Sequence, residues 1–149
     1  MSTSPAALKS RRPLSLTYNI PIEKTKPFWE GLKAGQLLTT KCRACGHITF
    51  PPQNDCPKCH ASGPEWIGLG NEAELESFTQ IFVPPVTFVQ HDPYVVAIGR
   101  LPNGVKVLAW LRGVEPQHLR VGTKLRLLAR STPEGVPYYE FEPLATAAV

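Results

Sequence analysis

A mainly β protein is what the sequence predicts: a short N-terminal helical segment, a metal-stapled ribbon, then a five-stranded barrel. Three observations carry that expectation. All four cysteines stand in two Cys-x-x-Cys pairs, Cys42/Cys45 and Cys56/Cys59, with ten residues between the pairs. From Ala73 onward polar and apolar residues alternate with period two, in runs broken by turn residues, which is strand patterning. Sixteen prolines and eleven glycines in 149 residues are too many for a helical bundle and suit short strands joined by turns.

In chain order, the expected units are a disordered basic tail over 1–20, a helical segment over 21–38, the ribbon over 39–68, the barrel over 69–144 and a short tail over 145–149. Pro27-Phe28-Trp29-Glu30-Gly31-Leu32 reads as a helix with Pro27 in its first turn and Gly35 as its stop. Phe28, Trp29 and Leu32 cover one side of it, with Glu30 and Lys33 opposite. A helix this short is marginal alone and must dock, on its own barrel or on a partner.

Leu37–Cys42 and Ile48–Phe50 are the expected ribbon strands around the first knuckle, closed by Pro51-Pro52, with Trp66 and Ile67 leading out of the module. Each Cys-x-x-Cys turn places two sulfurs on one side of the backbone, and two such turns make the tetrahedral four-thiolate shell that zinc prefers. Iron is the alternative metal for the same ligands. Paired disulfides need an oxidising compartment, and no apolar run follows Lys9, Arg11 and Arg12 to make an export signal. A redox Cys-x-x-Cys usually comes singly beside a βαβ pattern, which is missing here. His47 and His60 adjoin the cysteines, but a complete thiolate shell leaves them as surface residues. A closed shell has no position for substrate, so the zinc is expected to be structural.

Gly68-Leu69-Gly70-Asn71-Glu72-Ala73 matches the spacing of a dinucleotide fingerprint, but it precedes a strand pattern instead of opening a helix and reads as a link between modules. The barrel then begins with alternation from Glu74 to Val83, with Leu75, Ser77, Thr79 and Ile81 on one face. Tyr94–Leu101 and Val105–Arg112 form a hairpin around Pro102-Asn103-Gly104, because Asn-Gly favours the tight turn. One helical turn over Glu115–Leu119 follows, then strands over Lys124–Arg130 and Val136–Glu142. A three-stranded meander, a helical piece and two more strands are the order of an OB-fold barrel, whose closure removes sheet edges. In the third strand Val105, Val107, Ala109 and Leu111 face the core, while Lys106, Leu108, Trp110 and Arg112 face outward. In the fourth, Leu125, Leu127 and Ala129 face in.

Charge distribution bears on partners. The net charge of +4 is concentrated in residues 1–41, which hold seven Lys/Arg against two Glu, whereas from Ala73 onward the count is seven against seven. A neutral barrel counts against a groove that tracks a nucleic-acid backbone. No apolar run approaches the ~20 residues that span a bilayer, and four unbridged cysteines point to the cytoplasm. No serine sits in a nucleophile-elbow setting, no thiol is spare, and the four histidines are scattered; His91 and His118 are the only residual catalytic candidates.

The run Pro27–Leu32, Cys42–Gly46, Pro51-Pro52 before Cys56-Pro57-Lys58-Cys59, Glu76–Thr79, Pro93–Ala97, Val121-Gly122 and Pro137–Tyr139 together resemble the DUF35 family, a rubredoxin-like zinc ribbon followed by an OB-fold. The resemblance spans roughly residues 21 to 144. It implies an accessory subunit beside a thiolase-like enzyme in acyl-CoA metabolism, in pathways such as acetoacetyl-CoA and hydroxymethylglutaryl-CoA synthesis, acyl transfer or aldol cleavage of steroid side chains. On that implication acyl-CoA is a candidate ligand, its phosphates suited to Lys or Arg and its adenine to an aromatic face. The candidate surface is Lys106, Trp110 and Arg112, with Lys124 and Arg126. Phe28 and Trp29 are the candidate partner-facing aromatics, since a marginal helix with two large rings gains most from a second protein. The competing reading is an OB-fold module for single-stranded nucleic acid.

Overall fold

The computed structural model describes residues 18–91 and 93–144, so most of the expected N-terminal tail and the tail over 145–149 lie outside the described residues. A helix, a three-stranded sheet and a closed barrel follow one another along the chain. Helix α1 spans Lys26–Lys33 with Pro27 in its first turn. It ends as the glycine foretold: Gly35 takes φ +77°, the Gly35 N–H donates to Leu32 O at 3.1 Å and the Gln36 N–H to Gly31 O at 2.7 Å. Phe28, Gly31 and Leu32 are buried against the protein's own barrel, and this docking supplies the stability that eight helical residues lack.

The ribbon sheet has one more strand than expected. β1 (Leu38–Lys41) is its centre, with β2 (Ile48–Thr49) on one side and β3 (Glu65–Gly68) on the other, all antiparallel. Trp66 and Ile67 therefore do not simply lead out; they pair with Thr40 and Thr39. Thr39 and Thr40 are fully buried yet satisfied, Thr39 Oγ1 donating to Thr49 O and the Gln53 N–H donating to Thr40 Oγ1 at 3.1 Å. The glycine-rich link continues into a strand, as expected. It is packed rather than loose: Leu69 joins the barrel core, and its N–H donates to Leu37 O at 2.8 Å.

The barrel strands are β4 (Glu72–Ile81), β5 (Tyr94–Arg100), β6 (Lys106–Leu111), β7 (Lys124–Ser131) and β8 (Pro137–Pro143). Their order around the barrel is β4-β5-β6-β8-β7, closed by β7 pairing with β4. Only β6 and β8 run parallel. A 3-10 turn, Pro116–His118, sits between β6 and β7 and is followed by buried Leu119. The hairpin at Asn103-Gly104 forms as expected, with Gly104 at φ +83°. So does the inward set Val105, Val107, Ala109 and Leu111 of β6.

The first barrel strand departs from simple alternation. Its pairing with β5 shifts register between Leu75 and Ser77, a bulge centred on Glu76. Ala73 and Leu75 face the core before it, and beyond it the inward face passes to Phe78, which packs on the core, so Ser77 and Thr79 are exposed instead. One inserted residue has exchanged the two faces of the strand.

The core is Leu75, Val107, Leu125, Leu127 and Phe141 at its centre, each effectively inaccessible to solvent. Gly99 is buried beside them because Phe141 needs the space: a Cβ there would lie 2.6 Å from Phe141 Cζ and 3.1 Å from the Ala73 Cβ. Gly99→Ala is expected to cost about 1–3 kcal/mol through overpacking, read as a lower urea midpoint with an unchanged slope. Among the described residues no helix is long and apolar enough to cross a membrane.

Candidate metal centre and ligand face

The two Cys-x-x-Cys turns are built alike. In the first, the Gly46 N–H donates to Cys42 O at 2.9 Å and the Cys42 N–H to His47 O at 2.8 Å. In the second, the His60 N–H donates to Cys56 O at 2.9 Å and the Cys56 N–H to Ala61 O at 2.9 Å. The residue after each second cysteine is left-handed, Gly46 at φ +73° and His60 at φ +62°. His60 is thus exposed and held by its backbone. Neither it nor exposed His47 joins the four-cysteine cluster.

The four Sγ atoms lie within 4.8 Å of one another. Cys42 Sγ is 3.5 Å from Cys59 Sγ, and Cys45 Sγ is 3.7 Å from Cys56 Sγ. A tetrahedral shell with metal–sulfur bonds of ~2.3 Å has edges of about 3.8 Å, so the thiols fit one metal ion. Their acidities are already spread. The Cys45 N–H, working against burial and joined by the Ala44 N–H and neighbouring sulfurs, holds the Cys42 thiol down to about 6. At Cys59 the Ala61 N–H lowers the pKa, but hydrogen bonds with Cys42, Cys45 and Cys56 sulfurs, with burial, outweigh it and push the thiol up to about 12. At Cys56 burial raises the thiol, but the Cys59 and Lys58 N–H groups with the neighbouring sulfurs outweigh it and lower it.

The candidate ligand residues do not form one surface. Lys106 and Arg112 point outward from opposite ends of β6, about 20 Å apart at a strand's rise per residue. Lys106 Nζ is 2.8 Å from Glu76 Oε1, and Lys124 Nζ is 2.8 Å from Glu74 Oε2. The Lys124 hydrogen bond, with its charge, holds the Glu74 carboxyl below its ordinary range. Arg126 is exposed, in register between Glu72 and Glu142. Distance along β6 and pairing with carboxylates set Lys106 and Lys124 apart from Trp110 and Arg112.

Trp110 and Arg112 do share a site. The Arg112 guanidinium lies over the Trp110 ring, 5.0 Å from its centroid, and Trp110 packs on Tyr94 with centroids 4.8 Å apart. A groove of about 580 Å³ opens beside them, lined also by Phe88, Leu108 and Tyr138. Sequence reading missed Glu140. This buried carboxylate has Arg112 Nε 3.0 Å from one oxygen and Arg130 Nε 3.2 Å from the other. Arg130 also pairs with Glu142, and these two carboxylates, Glu142 first, raise its pKa. The alternation that put Glu140 on an outward face was visible; its two arginines come from other strands and were not.

The partner-facing expectation for Phe28 is overturned. Its ring is 3% exposed, packed edge-on against Trp29, Phe50 and Tyr139 with centroids 5.1, 5.9 and 6.3 Å away. It joins helix, ribbon and barrel. Trp29 is half-buried, its indole N–H donating to Thr25 Oγ1 at 3.3 Å.

Comparison with known proteins agrees with this architecture. Residues 29–65 match the family model "ChsH2, rubredoxin-like zinc ribbon domain", and residues 66–130 match "ChsH2, C-terminal OB-fold domain". A DUF35 domain-containing scaffold protein of Methanothermobacter thermautotrophicus is 30% identical over 111 residues, 71% of this chain and 84% of the relative. The benzoylsuccinyl-CoA thiolase subunit BbsA of Thauera aromatica is 26% identical over 113 residues, 74% of this chain and 76% of the relative. Among solved structures, the one titled "Ltp2-ChsH2(DUF35) aldolase" superposes with a TM-score of 0.70 at 24% identity, covering 89% of this chain and 98% of that one. That likeness is one of fold. Ribbon, barrel and relatives converge: the chain belongs to the DUF35 family of zinc-ribbon and OB-fold proteins.

Proposed function

We propose that this chain is an accessory subunit of a thiolase-like enzyme acting on acyl-CoA thioesters, with a structural zinc ion in its ribbon. The observation that carries the reading is the thiolase subunit of similar length, three quarters of which this chain matches. Scaffold proteins among the relatives support the same role. When bound, zinc would supply no reaction here; it would cross-link the two knuckles. Cys42, Cys45, Cys56 and Cys59 would hold it, filling all four positions of its shell. Unbridged thiols of this kind suit a reducing compartment, which for this chain would be the cytoplasm.

The acyl-CoA contact we propose for this chain is narrow. Trp110 offers a ring face to adenine, in a groove where Arg112 is already held by Glu140 and adds no free charge for phosphate. Trp110→Ala is expected to weaken acyl-CoA binding to the purified complex on the order of tenfold, since losing one stacked ring costs ~1–3 kcal/mol. Unchanged affinity removes the assignment and leaves the coenzyme to the partner alone. A nucleic-acid role gains little, because Lys106, Lys124, Arg112 and Arg130 are each held by a carboxylate.

Affinity purification of the tagged chain from its own cells tests the main reading. A thiolase-like protein retained at raised salt is the expected outcome. Nucleic acid or ribosomal proteins, lost as salt rises, would overturn it.

A further inference from the structure

We propose that the connection between β4 and β5, with Leu108 of β6 beside it, is the surface on which the partner enzyme subunit docks. The inference rests on the accessory-subunit reading and goes beyond it by naming the face. Ile81 to Gln90 contains no Asp, Glu, Lys, Arg or His, and His91 and Asp92 follow only at the far end of the connection. Among its described side chains Phe82 is 67% exposed, Val83 90% and Val86 90%, and Leu108 adds a side chain 60% exposed. Side chains of this size at these exposures present roughly 500 Å², the scale of an interaction site, and over half of the ~800 Å² that each side of a standard interface buries.

This surface is pre-shaped. Pro84-Pro85 lead into a 3-10 turn over Val86–His91, in which the Phe88 N–H donates to Pro85 O at 2.8 Å. The Phe88 ring is pinned against Trp110 and Tyr94, with centroids 5.7 and 6.3 Å away. The Phe88 ring therefore needs little ordering on binding. Charge complementarity selects the occupant. A polyanion or an anionic lipid surface asks for free cations, and the nearest one in the groove, Arg112, is tied to Glu140. An uncharged apolar patch on an enzyme subunit is what this surface complements. In an OB barrel the face of the second and third strands and the loop between the first two are also where ligands sit, so the docked subunit would border the Trp110 groove.

The test uses the full chain with Val83→Asp and Val86→Asp together. Both residues are almost wholly exposed, so unfolding is not expected to confuse the result; thermal unfolding and metal content of the purified variant check this. Recovery of the enzyme subunit that accompanies the unaltered chain is expected to fall roughly tenfold or more. If the unaltered chain brings down no such enzyme, the accessory-subunit reading falls and this surface with it. If it does and the double variant recovers it equally, only the surface is wrong. Sedimentation of the purified chain closes the remaining alternative: a dimer split by the two aspartates would assign the face to a second copy and overturn the proposal.

Discussion

Serine at Cys42 is expected to strip the chain of its metal and unfold the ribbon while the barrel stays folded. The asymmetry follows from where apolar burial lies. The core cluster of the protein is drawn from Leu69 to Phe141, all of it barrel and link. Over residues 38–68 the fully buried side chains that hold the sheet are Thr39 and Thr40, with the two inner cysteines, and no large aliphatic side chain is buried there. A module with so little apolar core depends on its staple, and structural zinc contributes about 10–16 kcal/mol to folding in small zinc modules. Cys42 is the choice because it is one of the two buried cysteines of the four-sulfur cluster. Elemental analysis should read less than one zinc per chain, and amide hydrogen exchange should accelerate over 38–68 but not over the barrel. A full complement of metal in Cys42→Ser would contradict the four-thiolate shell. A strong chelator is expected to act on the unaltered chain as the substitution does, and acid likewise, because protonated thiols do not ligate.

Phe28→Ala is expected to cost about 3–5 kcal/mol, as loss of a buried ring does. The residue was read from sequence as a partner contact and is instead the place where three modules meet. Its ring touches Phe50, just beyond the second ribbon strand, and Tyr139 of β8, which also touch each other with centroids 5.2 Å apart. Burial holds the Tyr139 phenol above its ordinary pKa, as expected of a ring inside the cluster. A large drop in thermal midpoint, with helix α1 exchanging early, is the expected result. A variant of unchanged stability that merely lost its partner would restore the partner-facing role.

Much of this architecture is legible in the sequence because it is written in local rules. Two cysteines at a fixed spacing, an Asn-Gly turn, a glycine ending a helix and period-two alternation each act within a few residues. What escaped depends on the neighbouring element. Glu65-Trp66-Ile67-Gly68 is too short to announce a strand and becomes one only by pairing with Leu38–Lys41. The bulge at Glu76 is a property of register with β5, and nothing in β4 alone signals it. Phe28 had the composition of a docking residue, and burial by its own barrel decided otherwise. Lys106 and Arg112 share an outward face of one strand, yet distance along it and the pairing carboxylates Glu76 and Glu140 separate them. Trp110 lies on the outward side of its strand as its alternation indicates, but the groove beside it needs Phe88 and Tyr138 from two other elements.

The central claim, an accessory subunit with a structural zinc, is tested most directly by a native mass spectrum of the tagged chain purified from its own cells. The account predicts the chain with one zinc ion, in stoichiometric complex with a thiolase-like enzyme subunit. The chain alone, or carrying nucleic acid in place of an enzyme, would contradict it.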